Sequence, residues 1–290
     1  MISIRQKFLS RRLYARILRL SALALLLGLS AGAGLGAAGS AATQQWELAR
    51  LREPSGLVLH PGRNTLFVVG DEGDVAEVGL DGELLRMSVL GGDLEGVTCD
   101  PSSGLVYVLR EGPDDIVEID PDSFKVLRRF RLDRGWAGDR EYIKPGGDGL
   151  EGLTFVASSE QAEGGSFFAV NQNDPPALLE LLLPLRSGRG DAVARIVAAH
   201  ELGPAALSAI VWLPGRELFL ITSALSGRVA LVGRDGSAHG TFRIPGFLPE
   251  GLALLPGGVF IIAQDTGGLI QWKPGEDPLS GLLDGKKHGD

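Results

Sequence analysis

The chain of 290 residues has one cysteine, two methionines and four histidines. A single cysteine, Cys99, excludes an intrachain disulfide and any cysteine-based zinc cluster, and its apolar flanks make it a core thiol. His60, His200, His239 and His288 fall in a turn, an apolar strand-like run, a loop and the tail. No local motif assembles a Ser-His-Asp triad from them. Helical periodicity is also missing: past residue 42 no long segment shows it, so no glycine-rich loop precedes a helix that would cradle a phosphate.

Basic charge is concentrated at the start. Residues 1–42 hold Arg5, Lys7, Arg11, Arg12, Arg16 and Arg19 and no acid. Setting those six aside from 28 basic and 36 acidic residues leaves the remainder at −14. Such a surface repels nucleic acid and anionic lipid, which need basic patches. It suits a divalent cation or a cationic small ligand.

After the basic flank, an apolar, small-residue run extends from Leu20 to about Ala38, and Ser40, Ala41 and Ala42 follow. This is the order of an export signal, with cleavage expected near Ala42. The run is also about as long as the roughly 20 residues that span a bilayer, so an uncleaved anchor is the alternative. Either reading puts residues 43–290 outside the cytoplasm, in the periplasm or on the periplasmic face of the inner membrane. Contact with the membrane is then expected only through this segment. Ser10-Arg11-Arg12-Leu13-Tyr14 faintly resembles a twin-arginine export motif, and no cysteine near the run offers a lipoprotein anchor.

What the rest contains is a repeat. A small or acidic residue followed by Gly or Ala and aliphatics recurs as Ser55-Gly56-Leu57, Leu94-Glu95-Gly96-Val97, Leu150-Glu151-Gly152-Leu153, Leu207-Ser208-Ala209-Ile210 and Pro249-Glu250-Gly251-Leu252. Each copy is followed by a second apolar run ending in polar residues, such as Leu66–Val69 before Asp71 and Glu72, or Val106–Leu109 before Glu111. A third strand-like run follows, such as Val75–Val78 or Ile116–Ile119. The motif glycines or alanine lie 40, 56, 57 and 42 residues apart. Strand-rich units of that period are the signature of propeller blades. The turn pairs Asp81-Gly82, Asp235-Gly236 and Pro256-Gly257 agree.

The expected fold is all-β, a five-bladed β-propeller over 43–273 behind a signal peptide or signal anchor at 1–42. Blades are expected near 54–90, 94–132, 150–184, 207–245 and 249–273. Trp46-Glu47-Leu48 is expected to supply the missing outer strand of the last blade. Insertions fall at Leu132–Gly149, the best lid candidate, and at Ala157–Gly165 and Leu185–Asp191. Residues 274–290 read as a polar, frayed tail.

In such a blade the start of the first strand and the end of the second share one edge. Glu95 is expected near Glu111, Gly56 near Asp71 and Glu72, Glu151 near Asn171, Asn173 and Asp174, and Glu250 near Gln264 and Asp265. Eight carboxylates then gather at one mouth, where they repel one another unless solvent, basic side chains or a cation intervene. The candidate metal ligands are Glu95, Glu151, Glu250, Asp71, Glu111 and Asp265, and the candidate ion is Ca²⁺, since hard oxygen donors without His or Cys suit it. The competing reading is solvated channel polarity. Ser208 and Ser223 replace the acids in the fourth unit. The motif glycines have a structural reading of their own, as small residues where inner backbones crowd.

Ser55-Gly56-Leu57 with Leu66-Phe67-Val68-Val69, then Asp81-Gly82-Glu83, Leu94-Glu95-Gly96-Val97 and the later Glu111, resembles the SdiA-regulated (YjiK-like) propeller family over most of residues 46–272. The resemblance implies an envelope-associated propeller with calcium at its acidic mouth. It brings no established catalytic residue. More distantly similar gluconolactonase-like and phytase-like propellers use calcium to polarise a carbonyl or phosphoryl group. Two functions follow as expectations: a binding module, with an envelope protein among its partners, and a calcium-dependent lactonase, esterase or phytase-like phosphoesterase. In the second, Glu95, Glu151 and Glu250 hold the metal and Glu111 or Asp265 is the base.

Overall fold

The computed structural model describes residues 41–280 except 49, 52, 146–148 and 204. The expected leader falls outside them apart from its last two positions. Among the described residues all twenty regular elements are strands. β1 (Ala42–Trp46) comes first, followed by β2 (Pro54–His60), β3 (Thr65–Gly70), β4 (Asp74–Val78) and β5 (Leu84–Val89). Next come β6 (Asp93–Cys99), β7 (Val106–Glu111), β8 (Asp115–Ile119) and β9 (Val126–Asp133), then β10 (Leu150–Ala157), β11 (Gly165–Asn171), β12 (Ala177–Leu182) and β13 (Ala192–Glu201). The series ends with β14 (Leu207–Leu213), β15 (Leu218–Ser223), β16 (Arg228–Gly233) and β17 (Ala238–Arg243), then β18 (Pro249–Leu255), β19 (Val259–Gln264) and β20 (Leu269–Lys273).

These strands form antiparallel meanders β2–β5, β6–β9, β10–β13 and β14–β17, while β18, β19 and β20 are completed by β1. The strands one step from the inner edge read as near-continuous apolar runs because they are buried on both faces, as in β11 with Phe167, Phe168, Ala169 and Val170. The outer strands alternate, as in β9, where Phe130 and Leu132 are buried while Arg129 and Arg131 are exposed. Each buried cluster is built from two neighbouring meanders. Phe67, Val69 and Val75 meet Val108 and Val117, and Leu109 and Phe130 meet Phe167 and Leu179. Phe168 and Val170 meet Phe219 and Ile221, Leu220 and Leu231 meet Phe260 and Ile262, and Ile261 and Leu269 meet Leu57 and Leu66. The last contact returns to the first meander. The fold is a β-propeller, held by apolar interfaces in which each buried Phe or Leu contributes about 1.5–3 kcal/mol.

Several details depart from the sequence reading. The strand that completes the last sheet is Ala42–Trp46, with Trp46 opposite Leu269, so it lies a few residues before Trp46-Glu47-Leu48. Its Trp46 ring packs where a Cβ on Gly82 would stand 2.6 Å away, and Gly82 has φ +89°, so that turn needs glycine twice over. The third meander runs to Glu201, past the expected 184, because β13 follows the loop at 183–191 and lies parallel to β9. That pairing joins two meanders into one eight-stranded sheet and covers both outer edges. The tail is not frayed throughout: Leu279 is buried in the core between β15–β16 and β18–β20, and the Arg216 guanidinium donates to its carbonyl at 2.8 Å. Residues 281–290 lie outside the described ones.

Candidate functional site

The repeat motif has a physical basis at the inner edge of the sheets. In every meander the pairing of the first strand with the second slips: between Pro54 and Gly56, Leu94 and Val97, Leu150 and Gly152, Leu207 and Ile210, and Pro249 and Gly251. A β-bulge at one place in each unit re-aims the extra side chain. Those positions carry Ser55, Glu95, Glu151, Ser208 and Glu250. The residue after each is small because the next inner backbone passes close by. A Cβ on Gly56 would collide with the Glu95 carbonyl oxygen, one on Gly96 would lie 2.6 Å from the Leu153 nitrogen, and one on Gly152 would lie 2.8 Å from the Ile210 nitrogen. The crowding expected for these glycines is present.

Inner strands are also tied to one another by side chains. The Thr98 hydroxyl accepts from the Phe155 N–H at 3.0 Å, and the Ser208 hydroxyl donates to the Pro249 carbonyl at 2.8 Å. The serine in the fourth unit therefore closes an inter-strand bond where the second, third and fifth units carry an acid.

The carboxylates gather on one side of the ring. Oxygens of Asp71, Asp93 and Glu95 lie within 4.8 Å of one another. Glu95 is buried, and it is hydrogen-bonded to Glu151, which is also buried. The Ser55 hydroxyl donates to Asp71. Burial, and then the charges of Glu151, Asp71 and Asp93, push the Glu95 carboxyl well above the usual range. Three oxygens within a few ångströms, with no His or Cys among the donors, are the chemistry of a hard-cation site.

Of the six sequence-derived ligands, the structure brings Asp71, Glu95 and Glu151 together. Asp93, which no motif marked, joins them from two residues before Glu95 on the same strand. Glu111, Glu250 and Asp265 stand outside the three-oxygen group. Glu111 is opposite Asp93 in the β6–β7 register rather than opposite Glu95. Glu250 sits between Ser208 and Ser55 in the order of inner strands, so a serine separates it from the acidic pair on either side. Asp265 lies in the turn after β19, its N–H bonded to the Leu248 carbonyl at 3.2 Å. Asn171 is opposite Leu150, and its amide donates to the carbonyls of Asn173 and Pro175 within its own turn.

The segment between β9 and β10 is fastened at its root. Arg134 pairs with buried Asp114, and a guanidinium nitrogen reaches the carbonyls of Gly112 and Pro113 at 3.4 Å. Burial pushes the Asp114 carboxyl up to about 6, against the pull of Arg134. Trp136 and Tyr142 pack on the core beneath, so they pin this segment. Cys99 is buried, as expected, and burial pushes its thiol up to about 12.

No family model matches the chain, and no curated protein matches its sequence. Solved structures do match. A glutaminyl cyclase of Myxococcus xanthus shares 15% identity, with 80% of this chain and 95% of that one covered and a TM-score of 0.57. A streptogramin B lyase matches at 9% identity over 81% of this chain and 98% of that one, with a TM-score of 0.45. A virginiamycin B lyase of Staphylococcus aureus matches at 13% identity over 81% and 74%, with a TM-score of 0.44. Identities this low are a likeness of fold alone.

Proposed function

We propose that this chain is a five-bladed, exported propeller of the SdiA-regulated kind that acts as a binding module, with one divalent cation, Ca²⁺, held at its mouth. The observation that carries the reading is the group Asp71, Asp93 and Glu95, whose oxygens lie within 4.8 Å of one another with Glu151 bonded to Glu95. Asp71 comes from the turn after β3, Asp93 and Glu95 from β6, and Glu151 from β10, so a cation there ties three units together. Ca²⁺ accepts 6–8 oxygens in loose geometry, which suits carboxylates drawn from separate strands. The family resemblance rests on the order of motifs along the chain, and the exported location rests on the composition of residues 1–42. An envelope protein partner belongs to the same reading. The activity of the glutaminyl cyclase is not carried over, because the likeness is one of fold.

A thermal melt with calcium, then with chelator, at matched ionic strength tests this. A ligand that binds only the folded state raises the melting temperature with its concentration. Calcium is expected to raise it by several degrees, and Glu151→Ala to abolish most of that rise. An unchanged melt in calcium defeats the metal reading. A rise that survives Glu151→Ala moves the ion to another part of the molecule.

A further inference from the structure

Away from the mouth, at the outer edge where β9 and β13 run parallel, lies a groove of about 430 Å³. Pro113, Asp115, Arg129, Arg131, Asp191 and Val193 line it. Arg129 and Arg131 are two apart on one exposed face of β9, a separation of roughly 7 Å along a strand. Their neighbours on β7 and β9 are occupied, Arg110 with Asp115 and Arg128 with Glu118, and Arg134 just past the end of β9 pairs with Asp114. Arg129 and Arg131 make no ion pair or side-chain hydrogen bond with any described residue.

Two acids stand in the groove, yet both are engaged. Asp115 faces Arg131 across the β8–β9 ladder, but both its oxygens are taken by the Arg110 fork. Asp191 accepts the backbone N–H of Arg129 at 2.9 Å. Counting Arg110 with Asp115 as neutral, the groove keeps two guanidinium groups against one carboxylate, in a chain whose formal net charge is −8. Pro113, Ala192 and Val193 supply its apolar lining. The volume falls in the range of small-molecule sites, about 300–1,000 Å³.

The geometry points to a second binding site here, for a small dianion held by the Arg129 and Arg131 forks beside the apolar lining of Pro113 and Val193. A guanidinium matches a carboxylate or a phosphate through two parallel hydrogen bonds. Two such forks roughly 7 Å apart fit a phosphoryl group shared between them, or the two ends of a short dicarboxylate. The site is separate from the mouth and does not depend on the cation.

Titration calorimetry of the whole protein with inorganic phosphate, and separately with succinate, tests it. Saturable binding of either is expected, weakened at least tenfold in the Arg129→Gln, Arg131→Gln double variant and untouched by Arg243→Gln on β17. Tighter phosphate binding assigns a phosphoryl ligand, and tighter succinate binding a dicarboxylate. A matched melt of the double variant confirms its fold, since both positions are exposed. Absence of saturable binding with both anions, or equal binding in the double variant, overturns the proposal.

Discussion

Glu77 and Glu95 are glutamates of one propeller, 3% and 5% exposed, and their carboxyls move in opposite directions. Burial raises both. Around Glu77, hydrogen bonds from Arg63 at 2.8 Å, Thr65 at 2.7 Å and Arg86 at 2.9 Å outweigh burial and bring it to about 2. Around Glu95 the neighbours are Glu151, Asp71 and Asp93, so burial and like charge act together. Depth in the fold therefore says little about the state of a carboxyl; its neighbours decide. The outer position is a fastening. Arg63 also reaches Asp122, and Arg86 reaches the Pro121 carbonyl, so Glu77 ties the first meander to the second. Glu118 repeats the arrangement with Arg128 and the Tyr107 hydroxyl. The inner position holds charge under tension.

The largest effect is expected where the fastening is cut. Glu77→Ala strips two arginines of their shared partner, and since each remains about a third exposed the cost falls near the low end for a buried pair, about 3 kcal/mol. Urea denaturation at pH 7 measures it. The depressed carboxyl stabilises the fold above its unfolded value of about 4.5, and that stability is lost as pH falls toward about 2. The difference between wild type and variant should shrink over that interval. A loss too small to measure at pH 7 would break the comparison from the outer side.

Next in size is a change that alters neither carboxylate. Gly56→Ala places a methyl against the carbonyl oxygen of Glu95 itself. Overpacking of this kind costs roughly 1–3 kcal/mol, and β6 must shift away from β2. Chemical denaturation should show the loss, and the calcium-induced rise in melting temperature should fall with it. Stability lost with the calcium response intact would separate the bulge from the site.

Much of this was legible in the chain. The motif glycines and the runs Leu66–Val69, Phe167–Val170 and Phe219–Ile221 announce inner strands because close backbones and two-sided burial impose composition directly. The glutamates of the third strands were visible too, in Val75-Ala76-Glu77-Val78 and Ile116-Val117-Glu118-Ile119. Their role was missed, although Arg86 and Arg128 follow nine and ten residues later and offered the signal. Asp93 was missed for another reason. It lies two residues before Glu95 on β6, outside the repeated Leu94-Glu95-Gly96-Val97 motif, and residues two apart on a strand share a face. The strand-like run around His200 was visible, but its pairing as β13 was not, because its parallel partner β9 lies about sixty residues away, a relation that local alternation does not record. Of the six expected acids, Asp71 and Glu95 belong to the three-oxygen group, while Ser208 and Ser55 stand on both sides of Glu250 in the order of inner strands.

The smallest expected shift is the one that sharpens the comparison most. Glu95→Gln keeps the shape of the side chain and leaves an amide to donate to Glu151, while removing one charge from a cluster of four acids. A carboxyl raised in the folded state contributes stability in acid and loses it as pH climbs past its unfolded value. In chelator at pH 8 the variant should therefore be more stable than wild type, by about 1 kcal/mol, or roughly 2–4 °C in melting temperature. At pH 4 the advantage should vanish, because both proteins then hold a neutral group at that position. In calcium the order should reverse, since the ion needs the charge that the amide lacks. A variant less stable than wild type at pH 8 in chelator would mean that the Glu95 charge is already balanced, and the inner glutamate would then be a fastening like the outer one.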